Sequence, residues 1–319
     1  MKPIVTLTPN PTIDGAASAE VIRPLHKIRT SDERYHPGGG GINVARVIHA
    51  LGKPALAVYP AGGPTGAILD ELLATARLET RRIAIAGYTR IAHTVFERSS
   101  GLEYRFVPEG PLLSAGEWDR CIAALAQVDW EYIVASGSLA RGLEPEAYHR
   151  VIDVARAKGA RVILDTSGPA LRAALERGVY FVKPSLGELE SLVGHALPDA
   201  HAQASAARDL VDRGCAHIVA VTLGRDGAMI VSAEETWHLA APPVTARSAV
   251  GAGDSFLAAA VVALSERRSL AATLAYGVAA GAAAVLSPGN DLASADDVEQ
   301  IYAGLQSAAG AGEASSSSA

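Results

Sequence analysis

The most regular signal along the chain is a recurrence of short β-branched apolar runs, at Ile4–Thr8, Ala55–Tyr59, Tyr132–Ala135, Arg161–Asp165, Tyr180–Lys183 and Ile218–Thr222. Between them, in stretches such as Ile42–Leu51, Ala115–Gln127 and Pro145–Lys158, apolar residues return every three or four positions. A continuous apolar run suits a strand buried on both faces, whereas the wider spacing gives a helix one apolar stripe. The alternation predicts βαβ units and a mostly parallel sheet. Ligands in such sheets bind outside the carboxyl ends of the strands, so Asp165, Lys183 and Thr222, each closing a run, become candidate site residues.

Two regions break this rhythm, Asp14 to Pro37 and Thr89 to Pro108. The second, "RIAHTVFERSSGLEYRFVP", alternates and reads as a hairpin turning at Ser99-Ser100-Gly101. Strands inserted between βα units, here at about 14–37 and 88–108, are expected to form a small flap over the site, and an exposed apolar flap also suits a dimer surface. The plainer alternative is an edge hairpin with no lid role. The closing "SAAGAGEASSSSA" is small and polar without periodicity, so an unstructured tail is expected after about Leu305, with the folded unit over 1–308 and residues 309–319 beyond it.

Composition narrows the class. With 319 residues, 49% of them hydrophobic and 19% charged, the chain can bury one large core with a small accessory unit. A net charge of −6 and a pI near 5.9 argue against a general nucleic-acid surface. Cysteine occurs only at 121 and 215, without finger spacing, and the nine histidines are scattered. No run of ~20 apolar residues and no signal-peptide pattern occurs, so a cytoplasmic protein with no membrane partner is expected.

Three stretches carry candidate chemistry. In "SAVGAGDSFLAAAVVAL", Gly251, Ala252 and Gly253 precede Asp254 at the mouth of an apolar helix. An Asp there is either a helix cap or a base; glycines, which capping does not need, leave backbone N–H groups uncovered at the positive end of a helix dipole. "HPGGGGINVARVIHALG" runs four glycines into a helix, fits neither a Walker nor a dinucleotide pattern, and places Gly39, Gly40 and Asn43 where backbone and amide can meet a polar ligand. "TPNPTID" ends in Asp14, which can accept hydrogen bonds from sugar hydroxyls or merely steady the turn after Pro11. Asn10 is no glycosylation acceptor, because Pro11 fills the middle of its N-x-T.

Taken together, "TPNPTID", "PGGGGINVAR", "SGSL", "KPSLGEL", "VTLGRDGA" and "SAVGAGDSF" resemble the ribokinase-like carbohydrate kinases, also called the phosphofructokinase B family, over nearly the whole chain. The resemblance implies a three-layer α/β/α fold with a β lid and a homodimer formed through that lid. "PAGGPTG", "YTR" and "EYRFVPEG" are similar to segments of the members that phosphorylate fructose 6-phosphate, which implies that ketohexose phosphate as acceptor and MgATP as donor. Asp254 is then the base for the sugar's 1-hydroxyl, and residues 251–253 form the anion hole. Arg90, Arg105, Lys27 and Arg29 are candidates for the sugar phosphate, with Ser138 as a further sugar-site residue.

On the nucleotide side the resemblance points to Lys183, Ser185, Thr222, Gly224, Gly227 and Ser248. Many relatives carry Asn where this chain has Ser185, within an N-x-x-E pattern that organises Mg2+ and its waters; Glu188 is retained, and Asp165 is the other candidate for the outer metal shell. Backbone oxygens of Ser248 and Val250, with the turn near Pro288 and Gly289, are a candidate K+ site. Alternatives left open are kinases of fructose 1-phosphate or tagatose 6-phosphate, and a non-catalytic sensor on the same fold.

Overall fold

A computed structural model describes residues 2–245, 248, 250–287 and 292–316, the stretch from 308 onward by its backbone alone. The large sheet holds β1 (Ile4–Leu7), β4 (Ala55–Ala61), β5 (Glu79–Ala84), β8 (Tyr132–Ser136), β9 (Arg161–Asp165), β10 (Val179–Val182), β11 (Ala216–Thr222), β12 (Ala228–Val231) and β13 (Thr236–Leu239), in the order β13-β12-β11-β10-β9-β8-β1-β4-β5. Pairing is parallel from β5 to β11 and antiparallel for β12 and β13. All six apolar runs lie in this sheet. The sequence pattern passed over β5, β12 and β13, which occupy its two edges.

Side chains of a strand alternate between faces, and that alternation divides the core in two. Ile4, Tyr132, Val134, Ile163 and Phe181 pack with α1 (Gly40–Ala50), α2 (Gly63–Thr75), α8 (Ala252–Ser265), α9 (Leu270–Leu286) and α10 (Ala295–Ser316). Val5, Leu7, Ile133, Ala135 and Leu164 pack with α3 (Ala115–Ala126), α4 (Ala147–Ala157), α5 (Gly168–Arg177), α6 (Leu186–Val193) and α7 (Ala200–Asp212). The three expected layers are therefore present. The backbone of α10 continues into the stretch expected as a tail, whose side chains lie outside the described residues.

The two irregular regions pair with each other. β2 (Thr12–Ala19), β3 (Thr30–Gly38), β6 (Arg90–Glu97) and β7 (Leu102–Phe106) form a separate sheet ordered β3-β2-β6-β7, and β6 and β7 make the expected hairpin. Asp14 thus sits within a lid strand. Helix α8 is buried along its whole length from Ser255 to Leu264, as a helix apolar on every side must be. No helix among the described residues is long and apolar enough to cross a membrane.

Candidate active site

A cavity of about 360 Å3 lies where the carboxyl ends of β8 and β9 face the lid. β1 lies between β4 and β8; the chain builds outward from β1 through β4 to β5 on one side and from β8 to β11 on the other, and such a reversal of strand order is where open α/β sheets leave a crevice. The sheet contributes Ser136, Gly137, Ser138, Asp165 and Thr166; the lid contributes Thr12, Asp14, Arg90 and Arg105; two helix starts bring Gly39, Gly40, Asn43, Gly251 and Asp254. Volume alone does not choose this cavity. A larger depression of about 730 Å3 lies among α5, α6 and α7, but there Arg172 donates to the carbonyls of Ser191 and Leu192 and Arg213 is paired with Asp209.

Asp254 does not cap its helix. The N-cap of α8 is Gly251, in a left-handed conformation (φ 75°) that suits glycine, and among the described residues no side-chain cap hydrogen bond is made there. The Asp254 carboxylate accepts a hydrogen bond from Asn43 Nδ2 at 2.9 Å instead, across 211 residues of sequence. Burial raises its pKa to about 6; the charges of Asp165 and Asp14 push the same way, while the Asn43 hydrogen bond and the Lys183 ammonium oppose them. A carboxylate with that pKa is ionised near neutrality and still basic enough to take a proton. Lys183, buried just after β10, forms a 3.1 Å ion pair with Asp165, and its Nζ lies 3.5 Å from where a Cβ on Gly253 would stand.

The four-glycine run serves the protein's own packing first. A Cβ on Gly40 would lie 2.2 Å from Ser136 Oγ, one on Gly39, where φ is 103°, would lie 2.7 Å from Thr8, and one on Gly38 would strike the Asp14 carboxylate. The run lets α1 start against β1 and β8, which places Asn43 over Asp254, and the backbones of Gly39 and Gly40 still line the cavity.

On the lid side, Arg90 donates to the carbonyl oxygens of Asn10 at 2.8 Å and Pro108 at 2.9 Å, and its buried Nε has no partner among the described residues. Burial pulls the Arg90 pKa down, and Asp14 opposes that; burial raises the Asp14 pKa against Arg90, Thr12 and Arg105. Sequence reasoning missed Asn10. Besides receiving Arg90, it donates through Nδ2 to the Glu109 carbonyl at 2.9 Å and to Ser138 Oγ at 3.3 Å, so one buried amide ties the segment after β7 to the loop after β8 at the middle of the large sheet. Ser136 and Thr166 were also missed. Their position at or just after strand ends was the available signal. Lys27 and Arg29 are exposed on the loop between β2 and β3 and line no part of this cavity, so the structure does not bring them to the site.

The family model described as "pfkB family carbohydrate kinase" matches residues 10–296. The chain belongs to this family. It is 43% identical over 301 residues to the ATP-dependent 6-phosphofructokinase isozyme 2 of Mycobacterium tuberculosis, covering 94% of this chain and 88% of that one. Its identity to the protein of the same name from Escherichia coli is 40% over 304 residues, covering 95% and 98%. A crystal structure of the Escherichia coli phosphofructokinase-2 in complex with fructose-6-phosphate superposes with a TM-score of 0.91 at 39% identity, covering 96% of this chain and all of that one. A 1-phosphofructokinase from Bacillus subtilis is 29% identical over 301 residues, covering 93% of this chain and 97% of that one. The match confirms the resemblance, the fold and the class, an ATP-dependent kinase that moves phosphate to a hydroxyl.

The residues assigned to nucleotide and metal are more dispersed. Ser185 caps α6: its hydroxyl accepts from Glu188 N at 3.3 Å and Glu188 Oε2 accepts from Ser185 N at 2.8 Å, a reciprocal capping box. Thr222 ends β11, beside Ser185. Gly224 opens a short turn with free space beside its Cα, whereas Gly227 is required by the backbone of Leu239 and Ala241, which a Cβ would strike. Ser248 Oγ accepts from Val250 N at 3.2 Å; Pro288 and Gly289 of the candidate K+ site lie outside the described residues.

No group of three or more His, Cys, Asp or Glu side chains among the described residues is arranged to cage a metal. Asp165 and Glu188 both line the cavity, yet one is paired with Lys183 and the other is half engaged in its cap. That donor set fits Mg2+ arriving with nucleotide phosphates and its own waters, since Mg2+ dehydrates reluctantly and is seldom held by protein alone.

Proposed function

We propose that this chain is a 6-phosphofructokinase that transfers the ATP γ-phosphoryl group to the 1-hydroxyl of fructose 6-phosphate, giving fructose 1,6-bisphosphate and ADP. The observation that carries the reading is the Asp254 carboxylate, held by Asn43 beside the uncapped start of α8 in a cavity whose other wall presents Arg90 and Arg105. Phosphoryl transfer asks mainly for alignment and charge stabilisation, and those groups supply both.

In this mechanism Asp254 takes the proton of the 1-hydroxyl as its oxygen bonds to the γ-phosphorus and the bond to the β,γ-bridging oxygen breaks. The N–H groups of Gly251, Ala252 and Gly253 at the start of α8 face the transferring phosphoryl group, where the helix dipole favours negative charge. Lys183 supports the nucleotide phosphates. Arg90 and Arg105 hold the sugar's 6-phosphate, while Asp14, Asn43 and Ser138 receive its hydroxyls. Mg2+ entering with ATP would neutralise phosphate charge, with Asp165 and Glu188 receiving its water shell. Activity on fructose 6-phosphate, fructose 1-phosphate and tagatose 6-phosphate, compared by kcat/KM at equal ATP, is expected to favour the first at least tenfold. A preference for either of the others overturns the choice of substrate.

The lid also supports a homodimer. Tyr35, Phe96, Leu102, Phe106 and Val107 are exposed on or beside its strands, an apolar display that a monomer rarely leaves uncovered. Sedimentation at micromolar concentration is expected to give a dimer, and Phe96→Asp a monomer. A monomeric parent chain under those conditions sinks the assignment.

A further inference from the structure

Away from the lid cavity, at the amino-terminal ends of β9, β10 and β11, a second cavity of about 360 Å3 has arginine at three points of its wall, Arg156, Arg161 and Arg177, together with His217. No carboxylate is among the described residues that line it. In a chain of net charge −6 such a concentration of cationic side chains is unexpected. We propose that this cavity is a second ligand site, for an oxyanion of the phosphate class.

The guanidinium groups are fixed from behind and leave donors to spare. Arg161 lies over the rings of Tyr132 and Tyr180, at 5.3 and 4.8 Å from their centroids, and donates to the Tyr132 hydroxyl. Arg156 donates to the Arg177 carbonyl at 3.1 Å, and Arg177 reaches Asp153 at 3.0 Å. Among the described residues, two carboxylates approach the arginines: Asp153, also 3.9 Å from Arg156, and Glu131, 3.4 Å from Arg161. Each guanidinium carries five N–H donors, and these contacts engage a minority of them. Arginine at three points of one cavity wall suits the several oxygens of a phosphate or diphosphate better than a single carboxylate. The tilted Tyr180–His217 ring pair, with centroids 6.0 Å apart, gives the same cavity an aromatic wall against which a nucleoside could lie.

The test is isothermal titration of the full chain carrying Arg90→Gln and Arg105→Gln, which weaken the lid cavity, with inorganic pyrophosphate. Pyrophosphate is expected to bind at one site beyond the nucleotide-phosphate site at the start of α8, and adding Arg156→Gln and Arg177→Gln is expected to weaken binding at that further site tenfold or more. The latter pair alone, placed in the otherwise unaltered chain, should leave kinase turnover unchanged and so report an intact fold; if it does not, a pyrophosphate-soaked crystal of the unaltered chain decides by density between the arginines. AMP binding that the second pair weakens tenfold or more identifies a nucleotide ligand, and AMP binding that the pair leaves unaltered an inorganic one. Affinity unaltered by the second pair, a dissociation constant above roughly 10 mM indicating an adventitious ion only, or density confined to the lid cavity overturns the proposal.

Discussion

Asp254→Asn is expected to lower turnover by a factor of ~100 or more while leaving nucleotide binding within a few-fold of the parent. The amide keeps the shape of the carboxylate and can still meet Asn43, so the loss isolates proton removal from alignment. In the parent chain the acid limb of kcat/KM is expected near pH 6, where the carboxyl protonates. The same substitution should stabilise the ligand-free protein. Burial raises the folded-state pKa above the ordinary 3.8, so the unfolded chain releases its proton first as pH rises, and folding then has to bury a charge. The resulting cost is absent below pH 4, grows between 4 and 6 and is complete above 6. A shift of that size corresponds to at most roughly 3 kcal/mol, and ~1–2 once solvent in the cavity is allowed for. Denaturation midpoints should favour the variant at pH 8 and converge with the parent at pH 4. Undiminished turnover removes Asp254 from the chemistry, and a stability gain independent of pH removes the electrostatic account of its pKa.

The parallel heart of the sheet was readable because strands covered on both faces must be apolar throughout, and six such runs stand out from their surroundings. The edges were not. β5 reads "ETRRIA" and β13 "TWHL", polar or exposed enough to lose the signal that burial imposes. Helix α9, "LAATLAYGVAAGAAAVL", is buried over most of its surface and so has little stripe to detect. Asp254 stood out through its glycines, but its two roles were separable only by geometry: a left-handed Gly251 sets the cap three places before Asp254, whose carboxylate lines the cavity. Ser185-Leu186-Gly187-Glu188 shows the opposite case. Its S-x-x-E spacing is itself a capping-box signature, and the local hydrogen bonds follow that simpler reading. Asn10 stayed invisible because each of its contacts joins segments some 80 to 130 residues apart, which no local pattern can register.

Lys183 is where the site's charge balance is most exposed to a single change. Burial alone would lower its pKa, but Asp165, with Asp254 and Glu188 behind it, outweighs that and raises it, so the ammonium stays charged among three acids. Lys183→Met keeps the length and removes the cation. Asp165 is then left buried without its 3.1 Å partner, and truncating one half of such a pair costs about 3–5 kcal/mol. With the cation gone, the folded-state pKa values of Asp165 and Asp254, already raised by burial, rise further. Stability is therefore lost as pH increases through the carboxyl range, so the deficit against the parent should be small at pH 5 and full at pH 8. Asp165→Asn in the same chain should return much of it by removing the stranded charge, and the acid limb of any residual activity should move above pH 6. A deficit under 1 kcal/mol at pH 8, or one that does not change between pH 5 and 8, means that Lys183 does not hold these carboxylates together. Its proposed role toward the nucleotide phosphates would then have to rest on phosphate contact alone.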